Sequence, residues 1–422
     1  MNPERLSVLF VSPMPPSPPR SGSQARTHGL LTEIAREHEV TAVSLHDDDC
    51  DTEATARAMR AYCRDVLLVR NPNGRIGIHR RLLQVRSWLT RSSFQRRLFA
   101  VPGFQETLDR ILRERRFDVV FLNFPYLAHY RVRQSPPGTP LPALVVDSHD
   151  IGYDLARQMA RGGTSLGMRI HAALNWRKLA KEELGAYVEA DGVCVCSAAD
   201  ADRLARDAPT ATSAIIPNAA DVEFLQPRPT DPEPDGRTVL FYGLLSTVPN
   251  VDGVLFFLRE IWPQIADARP LARCRIVGLH PPESVRALAG TRVEVTGPVD
   301  DIRPALASAA VVVVPLRLGS GTRLKIIETW AMARPVVSTR LGAEGIECVP
   351  DRDVLIADEP AAFARAVVRV LDDPTLGAQL GAAGRRLAVE RYSWPGVART
   401  LVGFFRRLLA ERATVGAEAA AR

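Results

Sequence analysis

The sequence predicts an α/β protein made of two similar, doubly wound domains. Short β-branched runs alternate with longer helical patterns along the whole chain, the signature of parallel sheets covered by helices. The alternation is broken once, near the middle, by a proline-rich stretch. At 422 residues the chain is also long enough to build more than one core.

Taken in order, the strand candidates of the first half are LSVLFVS, VTAVSL, VLLV, DVVFLN, ALVVDS and GVCVCS. Those of the second half are TVLFYG, CRIVG, VEVTG, AVVVVPL, PVVSTR and VLIA. Between them, QPRPTDPEPDGR (226–237) has prolines at 227, 229, 232 and 234. Proline fixes φ and removes a donor, so this stretch reads as an extended linker. The expected organisation is a domain over 1–225, the linker 226–237, a domain over 238–390, a last helix over 391–412 and a flexible tail over 413–422. Ligands of doubly wound sheets bind beyond the carboxyl ends of the strands, so two such domains facing each other would hold a ligand in the cleft between them.

Composition narrows the function classes only partly. Hydrophobic residues at 46% and charged residues at 24% are ordinary for a soluble protein. A net charge of +6 suits anionic small molecules, a membrane surface or nucleic acid alike. No nucleic-acid motif accompanies the charge, so nucleic acid is not an expected partner. No apolar run approaches the ~20 residues needed to span a bilayer, and Leu6–Val11 is too short for a signal core. The expected location is the cytoplasm. Cys50, Cys63, Cys194, Cys196, Cys274 and Cys348 form no CxxC pair and read as structural thiols of a reducing compartment.

One segment carries an unusual charge pattern. From Val66 to Gln105 there is no acidic residue, while arginine recurs at 70, 75, 80, 81, 86, 91, 96 and 97 among leucines, Trp88, Phe94 and Phe99. Such a basic, amphipathic stretch (75–101) either lies on anionic lipid, at the inner face of the membrane, or is a helix with a solvated arginine face.

The strand ends carry the chemistry. In PLRLGSGTRLKIIETW (315–330), a buried strand runs into a Gly-Ser-Gly loop and then a helix. Arg323 and Lys325 fall in its first turn, where the macrodipole favours anions over cations. A strongly anionic ligand such as a diphosphate resolves the conflict: Gly319 and Gly321 permit close approach, Thr322 is the expected N-cap, and free N–H groups complete the site. Gly321, Lys325 and Glu328 are spaced to share one face, placing Glu328 a turn beyond the phosphates, where it could accept from a ribose diol. The plainer alternative is a Lys325–Glu328 surface pair, which leaves Arg323 unexplained.

Two further strand–loop–helix units follow the same logic. Gly243 ends TVLFYG, either as a close-approach glycine or as a plain turn, and Asn250 is the expected cap of the next helix. Near the N-terminus, Ser21-Gly22-Ser23 precedes a helix; Gly22 and Ser23 either offer amides to a ligand or form a turn. No GxGxxG occurs, which disfavours a nicotinamide or flavin site. In VVDSHDIGYD (145–154), His149 and Asp150 follow a strand end, and His149 reads equally as a proton-handling group or a structural histidine. The acidic run HDDDC (46–50) reads as helix capping rather than a metal site, and no GxSxG elbow points to a serine hydrolase.

The run from Val277 to Val349, with GTRLKIIETW at its centre, resembles the donor-binding half of retaining GT-B glycosyltransferases of the family-4 type, such as bacterial polysaccharide sugar transferases. The likeness extends to PSPPRSGSQARTHGLL, DSHDI, CSAADADRL and IPNAADVEF in the first half. The resemblance implies two Rossmann-like domains, with the acceptor on the first, the nucleotide-sugar donor on the second, and a last helix that crosses back to the first. It implies that Glu328 holds the ribose, that the loop with Gly321, Thr322, Arg323 and Lys325 holds the diphosphate, and that Val299 lies by the base. Ser320 stands where many relatives carry the first glutamate of an E-x7-E pair. His149 matches the residue near the donor sugar, with Asp150 and Arg26 on the acceptor side. The implied reaction is glycosyl transfer with retention to a glycan or lipid-linked acceptor, without metal or other cofactor. A nucleotide-sugar epimerase of the same fold, or a catalytically degenerate binding module, are the alternatives.

Overall fold

The computed structural model describes residues 5–19, 21–74, 77–162, 166–319 and 321–420. The chain forms two compact units, one running to Pro217 and resuming at Val397, the other from Asn218 to Gly396.

The first unit is a parallel sheet of seven strands. These are β1 (Ser7–Ser12), β2 (Glu39–His46), β3 (Asp65–Arg70), β4 (Val119–Asn123), β5 (Ala143–Ser148), β6 (Gly192–Val195) and β7 (Ser213–Ile215), in the order β3-β2-β1-β4-β5-β6-β7. The second unit has β8 (Thr238–Tyr242), β9 (Arg273–Val277), β10 (Val293–Gly297), β11 (Val311–Val314), β12 (Val336–Ser338) and β13 (Leu355–Ile356), in the order β10-β9-β8-β11-β12-β13. Helices cover the sheets, so the inner strands are apolar on both faces; Val311 to Val314 are wholly buried. Strand order reverses between β1 and β4 and again between β8 and β11. The carboxyl ends of those pairs are the ligand-binding positions of a doubly wound sheet.

Every expected strand is present. The short edge strand β7 is additional, in a stretch whose polar and small residues give no strand pattern. The division falls at Pro217/Asn218 instead of 225/226, because residues after 217 are held by the second unit. Leu225 is buried with Trp330 in that unit's core, and Ala220 pairs with Ser393. The proline-rich stretch 226–237 is irregular and largely exposed, within the second unit. The last helix, Trp394–Ala420, continues past the expected end at 412 through most of the expected tail. Beyond Val397 it packs on the first unit, Phe405 edge-on to Phe121 of β4 at 5.5 Å between ring centroids. Arg412 donates there to Pro142 O and pairs with Asp191, both at 2.8 Å.

Candidate active site

The reversal point of the second sheet gathers most of the residues expected to bind a donor. Beyond β11 the loop turns through Gly319 and Gly321, both at positive φ, into the Leu324–Ala331 helix. The Arg323 guanidinium lies over the Gly319 backbone, where a Cβ would stand 2.5 Å from Nη2, and the φ of 140° at this position is one that side chains rarely adopt. Arg323, not Thr322, occupies the N-cap position, and it makes no side-chain capping bond. The Thr322 hydroxyl is engaged elsewhere, accepting from Asn218 Nδ2 at 2.7 Å.

Lys325 lies in the first turn with its Nζ 4.3 Å from the ring centroid of Phe241 on β8. It donates to Asn250 Oδ1 at 2.8 Å. Asn250 is not the cap of its helix: Thr247 holds that position for Val248–Phe256, and the Asn250 side chain bridges Lys325 and Leu244 O. Gly243 is a close-approach glycine, since a Cβ there would stand 3.0 Å from Lys325 Nζ. Burial, reinforced by the neighbouring Arg323 charge, pulls the Lys325 ammonium down to about 7, with Glu328 opposing.

Glu328 sits one turn along, and Gly321 is outside the helix, so the expected three-residue helical face reduces to Lys325 and Glu328. Tyr242 at the end of β8 donates to Glu328 Oε2 at 3.1 Å and to Lys325 O at 2.7 Å. Burial raises the Glu328 carboxyl above the ordinary range, against the Tyr242 bond and the Lys325 charge. Two cations and a carboxyl thus meet at one strand end, held by groups from β8 and by neutral partners. This arrangement suits a polyanion carrying hydroxyls: cations for the phosphates, a carboxylate for a diol.

The first unit presents a different cluster, at the carboxyl end of β5. Arg26, only 1% exposed, forks onto Asp147, with Nε 3.1 Å from Oδ2 and Nη2 2.7 Å from Oδ1. Its Nη1 donates to Ile216 O and Pro217 O. Arg26 is therefore turned into the protein, not toward an acceptor. His149 Nε2 stands 3.0 Å from Asp147 Oδ2. Its buried Nδ1 has no hydrogen-bond partner among the described residues. Arg26 and His149 hold the Asp147 carboxyl well below its ordinary range despite burial. The His149 ring lies 4.1 Å from that of Phe124, whose φ of 73° is a strained value for a non-glycine residue.

The remaining expected residues scatter. Gly22 and Ser23 form the first turn of the Gly22–Glu37 helix, capped by Ser21. Asp150 follows His149, half-buried, its carbonyl accepting from Ser148 Oγ at 2.8 Å. Val299, 43% exposed, lies on the loop after edge strand β10, two strands from β8. Ser320 lies outside the described residues. In the acidic run, Asp48 pairs with Arg70, and Asp51 just beyond it caps the Thr52–Arg60 helix. Sequence reasoning missed Tyr242, Asn218 and Phe124. Only the strand-end position of Tyr242, in TVLFYG, signalled a role.

Comparison with known proteins identifies the family. Residues 236–373 match the family described as "Glycosyl transferases group 1", and residues 20–224 match "Glycosyltransferase Family 4". The chain belongs to the GT-B glycosyltransferases. An MMP alpha-(1->4)-mannosyltransferase of Mycolicibacterium hassiacum is 33% identical over 114 residues, which is 26% of this chain and 28% of that relative's length. Sucrose-phosphate synthase from Thermosynechococcus elongatus has the same fold, with TM-score 0.73 at 17% identity over 96% of this chain and 100% of that one. So has Anabaena HepE, solved with UDP-glucose, with TM-score 0.64 at 13% identity over 96% and 100% of the two chains. In this GT-B chain the family-4 match covers most of the first unit and runs to residue 224 of the second, the group 1 match lies in the second unit, and the gap between them is the proline-rich stretch.

Proposed function

We propose that this protein transfers a sugar, with retention, from a nucleotide-diphosphate donor to a hydroxyl of a glycan or lipid-linked acceptor, as a family-4 type enzyme of cell-surface polysaccharide or glycoconjugate assembly. The observation that carries the reading is the desolvated Lys325 beside Arg323 at the β8/β11 reversal, with Glu328 one turn away. A cation pulled down to about 7 is costly to keep charged without an anion. A bound diphosphate restores its charge, and both cations then stabilise the negative charge that grows on the leaving diphosphate as the glycosidic bond breaks. Glu328 accepts from the ribose hydroxyls, with Val299 on the base side. His149, oriented by Asp147, hydrogen-bonds the donor sugar. The charge stabilisation falls to the two cations; in the acidic run 46–50, Asp48 is already paired with Arg70.

The acceptor is proposed to be met at the cytoplasmic face of a membrane, and a specific surface favours this. The helices Ile78–Trp88 and Leu166–Glu189 are joined by a Trp88 Nε1 to His171 Nδ1 bond of 2.9 Å and by Lys178 Nζ to Ser87 O at 2.8 Å. The first lies in a stretch without acidic residues, 66–105, and the second has none before Glu182. Leu89 and Leu166 are 86% and 70% exposed among the arginines. No described helix is long and apolar enough to cross a membrane, so contact would be peripheral.

The test is a thermal-shift panel of UDP, GDP, ADP and CMP with their sugars. A productive nucleotide at a hundred times its dissociation constant stabilises by about 2.7 kcal/mol. Stabilisation by none of them, or stabilisation unchanged in Lys325→Ala and Glu328→Ala, would sink the donor site. Interconversion of sugars with donor alone would favour the epimerase. Unchanged binding to anionic vesicles after replacing Arg81, Arg86 and Arg97 would remove the membrane contact.

A further inference from the structure

The chain passes from the first unit to the second at Pro217–Asn218, and both sides of that peptide bond are tied to functional clusters. On one side, Arg26 Nη1 donates to Ile216 O at 2.9 Å and Pro217 O at 3.1 Å, while its other nitrogens fork onto Asp147 beside His149. On the other, Asn218 Nδ2 donates to Thr322 Oγ1 at 2.7 Å and Thr322 O at 3.1 Å. Thr322 lies between Gly321 and Arg323, in the loop read above as the diphosphate site. Two residues on, Ala220 N donates to Tyr392 O at 2.8 Å, four residues before the second passage at Gly396–Val397.

We propose that Asn218 is a positioning residue for the diphosphate loop, and that the strap 216–218 couples this loop to the Arg26–Asp147–His149 cluster. The coupling rests on the donor reading; the positioning of the loop does not. The loop needs an external tether: Gly319 and Gly321 both have positive φ, and the helix that follows has no side-chain cap. Two glycines leave a backbone with many accessible conformations, so a fixed anion site requires bonds from outside. Asn218 supplies two donors to one residue, and both groups are buried, with 6% and 8% exposed. Aspartate would be isosteric but would set a carboxylate against the Thr322 carbonyl. Because Arg26 fixes the two preceding carbonyls, a loss of its fork loosens the base from which Asn218 reaches. The coupling runs along three consecutive residues, each with a named bond.

The experiment compares the full chain with Asn218→Ala, Asn218→Asp and Arg26→Lys, and with the Asn218→Ala/Arg26→Lys double variant. Arg26→Lys keeps the charge beside Asp147 and removes the fork. Hydrogen exchange of peptides covering 316–330 reports loop order without any nucleotide, and calorimetry with UDP reports binding. Both Asn218 variants are expected to speed exchange in the loop and weaken UDP about tenfold, roughly one hydrogen bond's worth at 1.4 kcal/mol per decade. Arg26→Lys is expected to act in the same direction more weakly, with the double variant no worse than Asn218→Ala alone. Unchanged loop exchange in both Asn218 variants overturns the positioning role. A general loss of stability with UDP affinity intact, or fully multiplicative effects in the double variant, overturns the coupling. Failure of the unaltered chain to bind UDP counts against UDP as the donor nucleotide, and the exchange measurement still decides the role of Asn218.

Discussion

The two units use the carboxyl ends of parallel strands for opposite electrostatic designs. At β5 in the first unit, the Arg26 cation is buried but matched: a carboxylate takes its fork, and backbone carbonyls take the rest. At β8 and β11 in the second, the Lys325 cation is desolvated against an amide oxygen and an aromatic face, with Arg323 adding repulsion that the Glu328 carboxyl opposes without cancelling the burial. A satisfied charge fixes geometry. An unsatisfied one stores affinity for an anion that the protein itself does not provide. The contrast separates a scaffold for His149 from the cluster proposed to receive phosphates, although both lie beyond parallel strands.

The largest effect should come from breaking the matched side. Asp147→Asn leaves Arg26 buried without its counter-charge, and removing one partner of a buried pair typically costs about 3–5 kcal/mol. Urea unfolding should show that loss. Lys325→Met should do the reverse, removing an unmatched cation and raising the melting temperature of the ligand-free protein. In turnover assays, however, the same variant should lose about 10²–10³-fold in kcat, the usual result of deleting one group that stabilises transition-state charge. If both substitutions destabilise equally, the two clusters are alike and the contrast is wrong.

Both shifts are downward, so the two clusters should respond to pH with the same sign but in different windows. Lys325 is lowered from 10.5 to about 7 in the folded protein, so between those values the unfolded chain binds more protons. Its contribution therefore makes the ligand-free protein more stable as pH rises through that window. UDP affinity should run the other way, falling above about pH 7, by at most about tenfold per pH unit, and losing that dependence in Lys325→Met. Asp147 is depressed, so its contribution is present above the ordinary aspartate range and is lost only as pH falls below it. A UDP titration and a melting series over the same pH range separate the two.

Much of this was legible in the sequence because it rests on local pattern. The strands announced themselves as β-branched runs, and two cations at a helix start stood out against the dipole preference. What stayed hidden depends on long-range placement. Thr322 and Asn250 look like caps in their local sequence, and each is instead taken by a distant partner, Asn218 and Lys325. Arg26 reads as an acceptor-side residue from the family resemblance alone. Only the fold shows that strand β5 brings Asp147 against it. Prolines mark where the chain is extended, and the family matches divide there too, whereas the packing division falls earlier, at Pro217/Asn218, because Leu225 and Ala220 join the second core.

The smallest expected effect tests how far the second site depends on a fixed carboxylate. Tyr242 is fully formed from β8, and its hydroxyl reaches both Lys325 O and Glu328 Oε2. Tyr242→Phe keeps the ring and the packing and removes one donor, which a neutral hydrogen bond values at about 0.5–1.5 kcal/mol. Glu328 should then rotate more freely and rise further in pKa than burial alone already raises it. UDP affinity should fall about two- to tenfold at constant fold stability, because the phosphate contacts remain and only the ribose contact is loosened. A variant lacking the ribose hydroxyls on the ligand side, 2′,3′-dideoxy-UDP, should bind the parent and Tyr242→Phe proteins equally. If the difference persists with that ligand, Tyr242 acts on the cation through Lys325 O, and the assignment of Glu328 to the sugar diol loses its support.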